Sequence, residues 1–154
     1  MEHRIQNLST WLKEQDIQLG FITSTENVFY LTNFHCNPHE RLLACLVFPN
    51  DEPILVCPQM EVGHVKNGGW KYGIIGFNDS QDPWAMIQES LAKRNIKVNR
   101  MAIEKEHLLV QRYEKLVQLF PGVQFLAAED KLHDLRLIKD SEEIRRMQVA
   151  AEAA

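Results

Sequence analysis

The sequence predicts an α/β domain, a mixed β-sheet flanked by helices in a three-layer arrangement. Three observations lead there. Short apolar runs of strand length recur along the chain, bounded by turn residues. Stretches of helical apolar spacing fall between the later runs. A Pro-Asn-Asp-Glu-Pro cluster at residues 49–53 separates two adjacent runs and marks a hairpin.

Ile5, Leu8, Trp11 and Leu12 stand at helical spacing, with Lys13, Glu14 and Gln15 on the other side, so residues 2–15 form an amphipathic helix. Residues 17–23 are apolar between Asp16 and Ser24 and suit a buried strand. Ser24 to Asn27 offer capping residues before residues 28–31, which predicts a short helical turn. Residues 32–41 are polar, contain Pro38 and lack periodicity, so they form a loop. Residues 42–48 and 54–57 are the two strands of the hairpin. Three glycines make residues 63–69 a loop or a short helix end, and residues 72–77 a further strand follows. Asp82 and Pro83 open a helix whose core face is Trp84, Ile87 and Leu91. A strand at residues 100–103, a helix with Leu109, Tyr113, Leu116 and Phe120 along one face, and a strand at residues 123–126 complete the domain.

At 154 residues, 45% apolar and 25% charged, the chain matches one ordinary globular domain. Its net charge of −4 is spread evenly, which speaks against a nucleic-acid stripe or a polybasic membrane arm. The first residues carry no apolar leader region and no run spans a bilayer, so a cytoplasmic protein with neither nucleic-acid nor membrane partners is expected. Cys36, Cys45 and Cys57 lack CxxC spacing. Cys45 and Cys57 lie in apolar runs and read as small core residues.

Motifs for phosphate loops, dinucleotide binding, zinc-protease helices and serine-hydrolase elbows are all missing. His35 and His39 are four apart, but Pro38 argues against a shared helical face, and Cys36 adds only a third scattered ligand. His3, His107 and His133 read as solvated or capping residues. The best functional candidate is the loop of residues 34–41. It gathers His39, Glu40 and Arg41 beside a stiffening proline, a set able to hold a carboxylate or a peptide terminus. The plain alternative is a solvated connector.

Residues 135–140 lead into Ser141-Glu142-Glu143-Ile144, where Asp140 and Glu143 have capping-box spacing. The helix runs on with Ile144, Met147, Ala151 and Ala154 on one face and no stop signal. Its packing partner is therefore expected beyond residue 154, the alternative being a terminal helix packed on the domain.

Two segments near opposite ends of the chain resemble a known family. Asn27, Tyr30, Leu31, Thr32 and Phe34 are similar to the N-x-x-Y-L-T-G-F signature of the creatinase/prolidase amino-terminal domain, with Asn33 in place of the glycine. Asn tolerates left-handed backbone angles, so the turn survives the replacement. Leu135, Arg136, Ile138, Lys139, Glu143 and Ile144 are similar to the L-R-x-I-K-(S/D)-x-x-E-I linker between that domain and its catalytic partner. The resemblance implies a ribonuclease-H-like amino-terminal domain over residues 1–134. It makes residues 135–154 the linker and first helix toward a catalytic domain outside this chain.

The resemblance further implies a hydrolase, an Xaa-Pro dipeptidase or aminopeptidase P (the prolidase kind of M24 metallopeptidase). Two divalent ions, manganese or cobalt, would be held by two Asp, one His and two Glu of the absent domain. The implied partners are the protein's own catalytic domain, a second subunit in a homodimer, and a proline-containing peptide. His39, Glu40 and Arg41 would reach the partner subunit's substrate site, and this chain alone would hold neither catalytic nor metal residues. Two other readings share the same domain. One is a stand-alone peptide- or protein-binding module, the other a creatinase-like hydrolase; the residues following position 154 discriminate them.

Overall fold

A computed structural model gives the fold and describes residues 1–153. Helix α1 spans Glu2–Glu14 and buries Ile5, Leu8 and Leu12, the stripe its spacing requires. Strand β1, Leu19–Ile22, is buried throughout. The short turn anticipated next is a full two-turn helix, α2, Thr25–Thr32. The Ser24 side chain caps it by accepting from the Asn27 amide, and Asn33 closes it in the left-handed region at φ 59°.

The hairpin follows as β2, Ala44–Val47, and β3, Ile54–Pro58, paired antiparallel with Ala44 opposite Val56. Leu42 and Leu43 are buried but precede the ladder, so the polar loop is two residues longer than its sequence implies. A 3-10 turn at Gln59–Glu61 runs into α3, Val62–Asn67, where a loop or helix end is expected. Strand β4 is Gly73–Phe77. A Cβ on Gly76 would lie 2.6 Å from the Val62 side chain, so glycine lets α3 sit close to the sheet.

Helix α4, Pro83–Lys93, starts where Asp82 accepts from the Trp84 amide. Strand β5 is Arg100–Ile103, α5 is Val110–Leu119, and β6 is Gln124–Ala127. Helix α6, Glu129–Leu137, has no counterpart in the sequence reading. Only Leu132 in it is buried, so its periodicity is faint, and its last turn takes in Leu135 to Leu137 of the segment assigned as linker. Helix α7, Ser141–Glu152, has the anticipated capping box between Asp140 and Glu143. Ala154, the last residue of its expected stripe, lies outside the described residues.

The six strands form one mixed sheet in the order β4-β3-β2-β1-β5-β6. The β1–β2 and β2–β3 contacts are antiparallel, and the β1–β5, β5–β6 and β3–β4 contacts are parallel. Strand alternation sends Ile22, Cys45, Val47, Leu55, Cys57 and Ala102 to one face, under Leu8, Leu31, Val65 and Leu132 of the covering helices. Phe21, Leu46, Val56, Met101 and Ile103 face the other side, against Ile87, Leu91 and Leu116. Helices α1, α2, α3 and α6 therefore cover one face, and α4 and α5 the other. No helix among the described residues is long and apolar enough to cross a membrane.

Candidate functional site

The loop after α2 begins with Phe34, buried in the core, its amide bonded to the Thr32 hydroxyl at 3.1 Å. It then turns tightly. The His39 amide donates to Asn37 Oδ1 at 3.2 Å, the Arg41 amide donates to the Pro38 carbonyl at 3.0 Å, and His39 takes φ 52°. The side chains of His39 and Glu40 stand in solvent.

Arg41 is engaged. Its guanidinium grips Asp79 in a bidentate fork at 2.9 and 3.1 Å. That bond holds the Arg41 pKa above, and the Asp79 pKa below, its ordinary value. The Arg41 carbonyl accepts from Arg112 at 3.0 Å, and burial lowers the pKa of Arg112. The loop's base is thus tied to the β4–α4 connection and to α5, while its tip is free.

His35 lies apart from His39, edge-on to Phe29 at 5.7 Å. Cys36 is half-buried, its thiol pushed up to about 11 by burial, and Cys45 and Cys57 are core residues whose burial pushes them to about 12. Elsewhere His64 meets Glu61 at 3.0 Å and His3 lies 3.7 Å from Asp140. The residues present do not fit the metal pair the resemblance implies. Among those described, no three His, Cys, Asp or Glu side chains gather as a metal site.

The signature residues on α2 form a connected polar cluster. Its root is Glu104, 3% exposed, directly after β5. Its carboxylate accepts from the amides of Thr23 and Ser24 at 2.6 and 2.8 Å, from the Ser24 hydroxyl, and from the Asn27 side chain at 2.7 Å. Asn27 Oδ1 in turn accepts from Arg136 at 3.1 Å. Leu31 is fully buried. Tyr30 donates its hydroxyl to the Leu135 carbonyl. Arg4 donates to the Tyr30 carbonyl at 2.8 Å and its guanidinium lies 4.3 Å from the centre of the Tyr30 ring.

Arg4 also reaches Glu143 at 3.0 Å and Asp140 at 3.5 Å. Glu143 and Asp140 exchange backbone-to-carboxylate bonds at 2.8 Å each, and Lys139 donates to the Leu137 carbonyl. Phe29, His35, His133, Arg136 and Arg146 line a cleft of about 610 Å³ between α2, α6 and α7.

Sequence reasoning named Asn27, Tyr30, Arg136 and Glu143, and the structure brings them together around Arg4 and Glu104, which it missed. A lone carboxylate closing an apolar strand was the available signal for Glu104. His39, Glu40 and Arg41 lie on a separate face of the chain, and their tether residues Asp79 and Arg112 carried no sequence signal.

Residues 4–138 match the Creatinase/Prolidase N-terminal domain family. The chain belongs to this family. As a creatinase/prolidase N-terminal domain it has full-length relatives. The YkvY protein of Bacillus subtilis is 46% identical over 152 residues, covering 99% of this chain and 42% of that protein. The Xaa-Pro dipeptidase of Lactobacillus helveticus is 34% identical over 151 residues, covering 97% of this chain and 41% of that protein. The chain therefore spans about two-fifths of the length of these curated relatives.

Such domains have also been solved by themselves. The N-terminal domain of Xaa-Pro dipeptidase from Lactobacillus brevis superposes with a TM-score of 0.81 at 31% identity, covering 85% of this chain and 98% of that one. A prolidase from Thermococcus sibiricus, 18% identical, shares the fold with a TM-score of 0.84 over 98% of this chain and 41% of its own.

Proposed function

We propose that this chain serves as the non-catalytic amino-terminal domain of a proline-specific dimetal peptidase of the Xaa-Pro dipeptidase type. One observation carries the reading. The chain matches a family of N-terminal domains over residues 4–138 and spans about two-fifths of relatives that include an Xaa-Pro dipeptidase. The rest of such a protein would supply the two metal ions, manganese or cobalt, and the groups that hydrolyse the peptide bond.

In that setting the domain supports dimerisation and shapes the substrate site. The loop of residues 34–41 suits the second role, because its base is tied by Asp79 and Arg112 while His39 and Glu40 stand in solvent, Glu40 3.9 Å from the Arg41 guanidinium. A substrate end with a charge needs a fixed counter-charge, and a loop held only at its base can bring one across a subunit boundary.

The test uses the longer protein in which this domain is followed by the remainder of the relatives' length. His39→Ala should change kcat/KM for Xaa-Pro dipeptides while leaving the melting temperature unchanged. Identical kinetics in the variant would reduce the loop to a solvated connector.

A further inference from the structure

We propose that α7 is a releasable arm, held on the domain by a polar latch of Arg4, Asp140 and Glu143 rather than by buried apolar surface. The inference concerns this chain's own residues and stands whether or not the longer protein is a peptidase.

No residue of α7 is buried, and Ile144, Met147 and Val149 are all exposed. A twelve-residue helix is marginal in water by its own propensity. Apolar packing onto the domain therefore does not fix its place. What touches its start is Arg4, whose side chain is only 15% exposed and whose stem lies in α1, with His3 of the same helix 3.7 Å from the Asp140 cap. One guanidinium joins the α2 carbonyl at Tyr30 to both carboxylates of the α7 capping box. The Tyr30 hydroxyl bonds the Leu135 carbonyl in the last turn of α6, so that bond belongs to the fixed part of the domain.

Asn27 likewise holds α6 through Arg136 and is anchored at buried Glu104, so it belongs to the fixed part of the domain. The joint between fixed and releasable parts is the segment from Ile138 to Asp140, where Ile138 is extended and its side chain is exposed.

A latch made of partly exposed ion pairs weakens with salt, whereas an apolar dock does not. Hydrogen exchange of chain 1–154 tests this, read at the amides of residues 144–149 and, as reference, at β2. Arg4→Met removes the bridging guanidinium at a partly exposed position, and Glu143→Gln removes one charge on an exposed helix, so neither threatens the core.

Each variant should speed exchange in α7 by about fivefold or more, as expected for loss of one such contact. Wild-type chain in about 1 M NaCl, where screening acts within roughly 3 Å, should behave alike. The β2 amides should not change, and Lys139→Ala should move neither region. Exchange in α7 indifferent to salt and to both variants would overturn the proposal. So would a loss that spreads equally to β2, or one that Lys139→Ala reproduces.

Discussion

Asn27 joins two distant parts of the chain at once, donating to the buried carboxylate of Glu104 at 2.7 Å while accepting from Arg136 at 3.1 Å. This places the first residue of the family signature between the end of β5 and the last turn of α6. The residue is architectural. Its amide is suited to the task because it alone among the small polar side chains offers both a donor and an acceptor in one plane.

Glu104→Gln should be among the more damaging single substitutions in the domain. Glu104 accepts from four donors in a buried site, and a glutamine amide would turn one acceptor into a donor facing N–H groups. A loss of about 2–4 kcal/mol is expected, measurable by urea unfolding. A change under about 0.5 kcal/mol would show that the carboxylate is not the anchor of α2.

Asn27→Ala should cost less, about 1–2 kcal/mol, because Glu104 keeps its backbone donors. Its selective effect should fall on α6, which loses the Arg136 contact. Amide exchange across residues 129–137 would report it, and protection in α6 equal to wild type would contradict it.

Acid should release α7 before it unfolds the sheet. The Glu143 amide, and then Arg4, hold the Asp140 pKa below its usual 3.8. A depressed folded-state value means the contribution is fully present above the unfolded value and is lost as pH falls through the lower, folded one. The charged or titratable groups around Asp140 and Arg4 are the Met1 amino group, Glu2, His3, Tyr30, Arg136, Glu142 and Glu143. Protection of the Glu143 amide should hold from neutrality down to roughly pH 4 and then fall. Protection that falls instead between pH 7 and 6 would contradict this assignment.

Much of this architecture is legible in the sequence where one physical signal dominates. Strand β5 emerges at residues 100–103 because a compact apolar run is bounded by polar residues. Helix α4 announces itself through Asp82, Pro83 and a clear apolar face. Helix α6 is hidden because two charged residues open it and a single buried leucine, Leu132, carries its packing. The loop of residues 34–41 is visible by composition, but Arg41 finds Asp79 across 38 positions. Only the folded sheet, which sets the β4–α4 connection beside that loop, reveals the pair.

Asp79→Asn should test whether Arg41 is available to a ligand. The pair is exposed and screened by solvent, so the melting temperature should barely move. In the longer protein, freeing the guanidinium should lower KM for substrates with a free carboxylate if Arg41 anchors them. An unchanged KM would remove Arg41 from the substrate site.

The most direct measurement compares hydrolysis of an Xaa-Pro dipeptide by chain 1–154 and by the longer protein, both with added manganese or cobalt. Turnover by the longer protein, abolished by a chelator, with none from the chain alone, is the result this account predicts. Chelator-sensitive turnover by chain 1–154, or no hydrolysis by the longer protein, would contradict it.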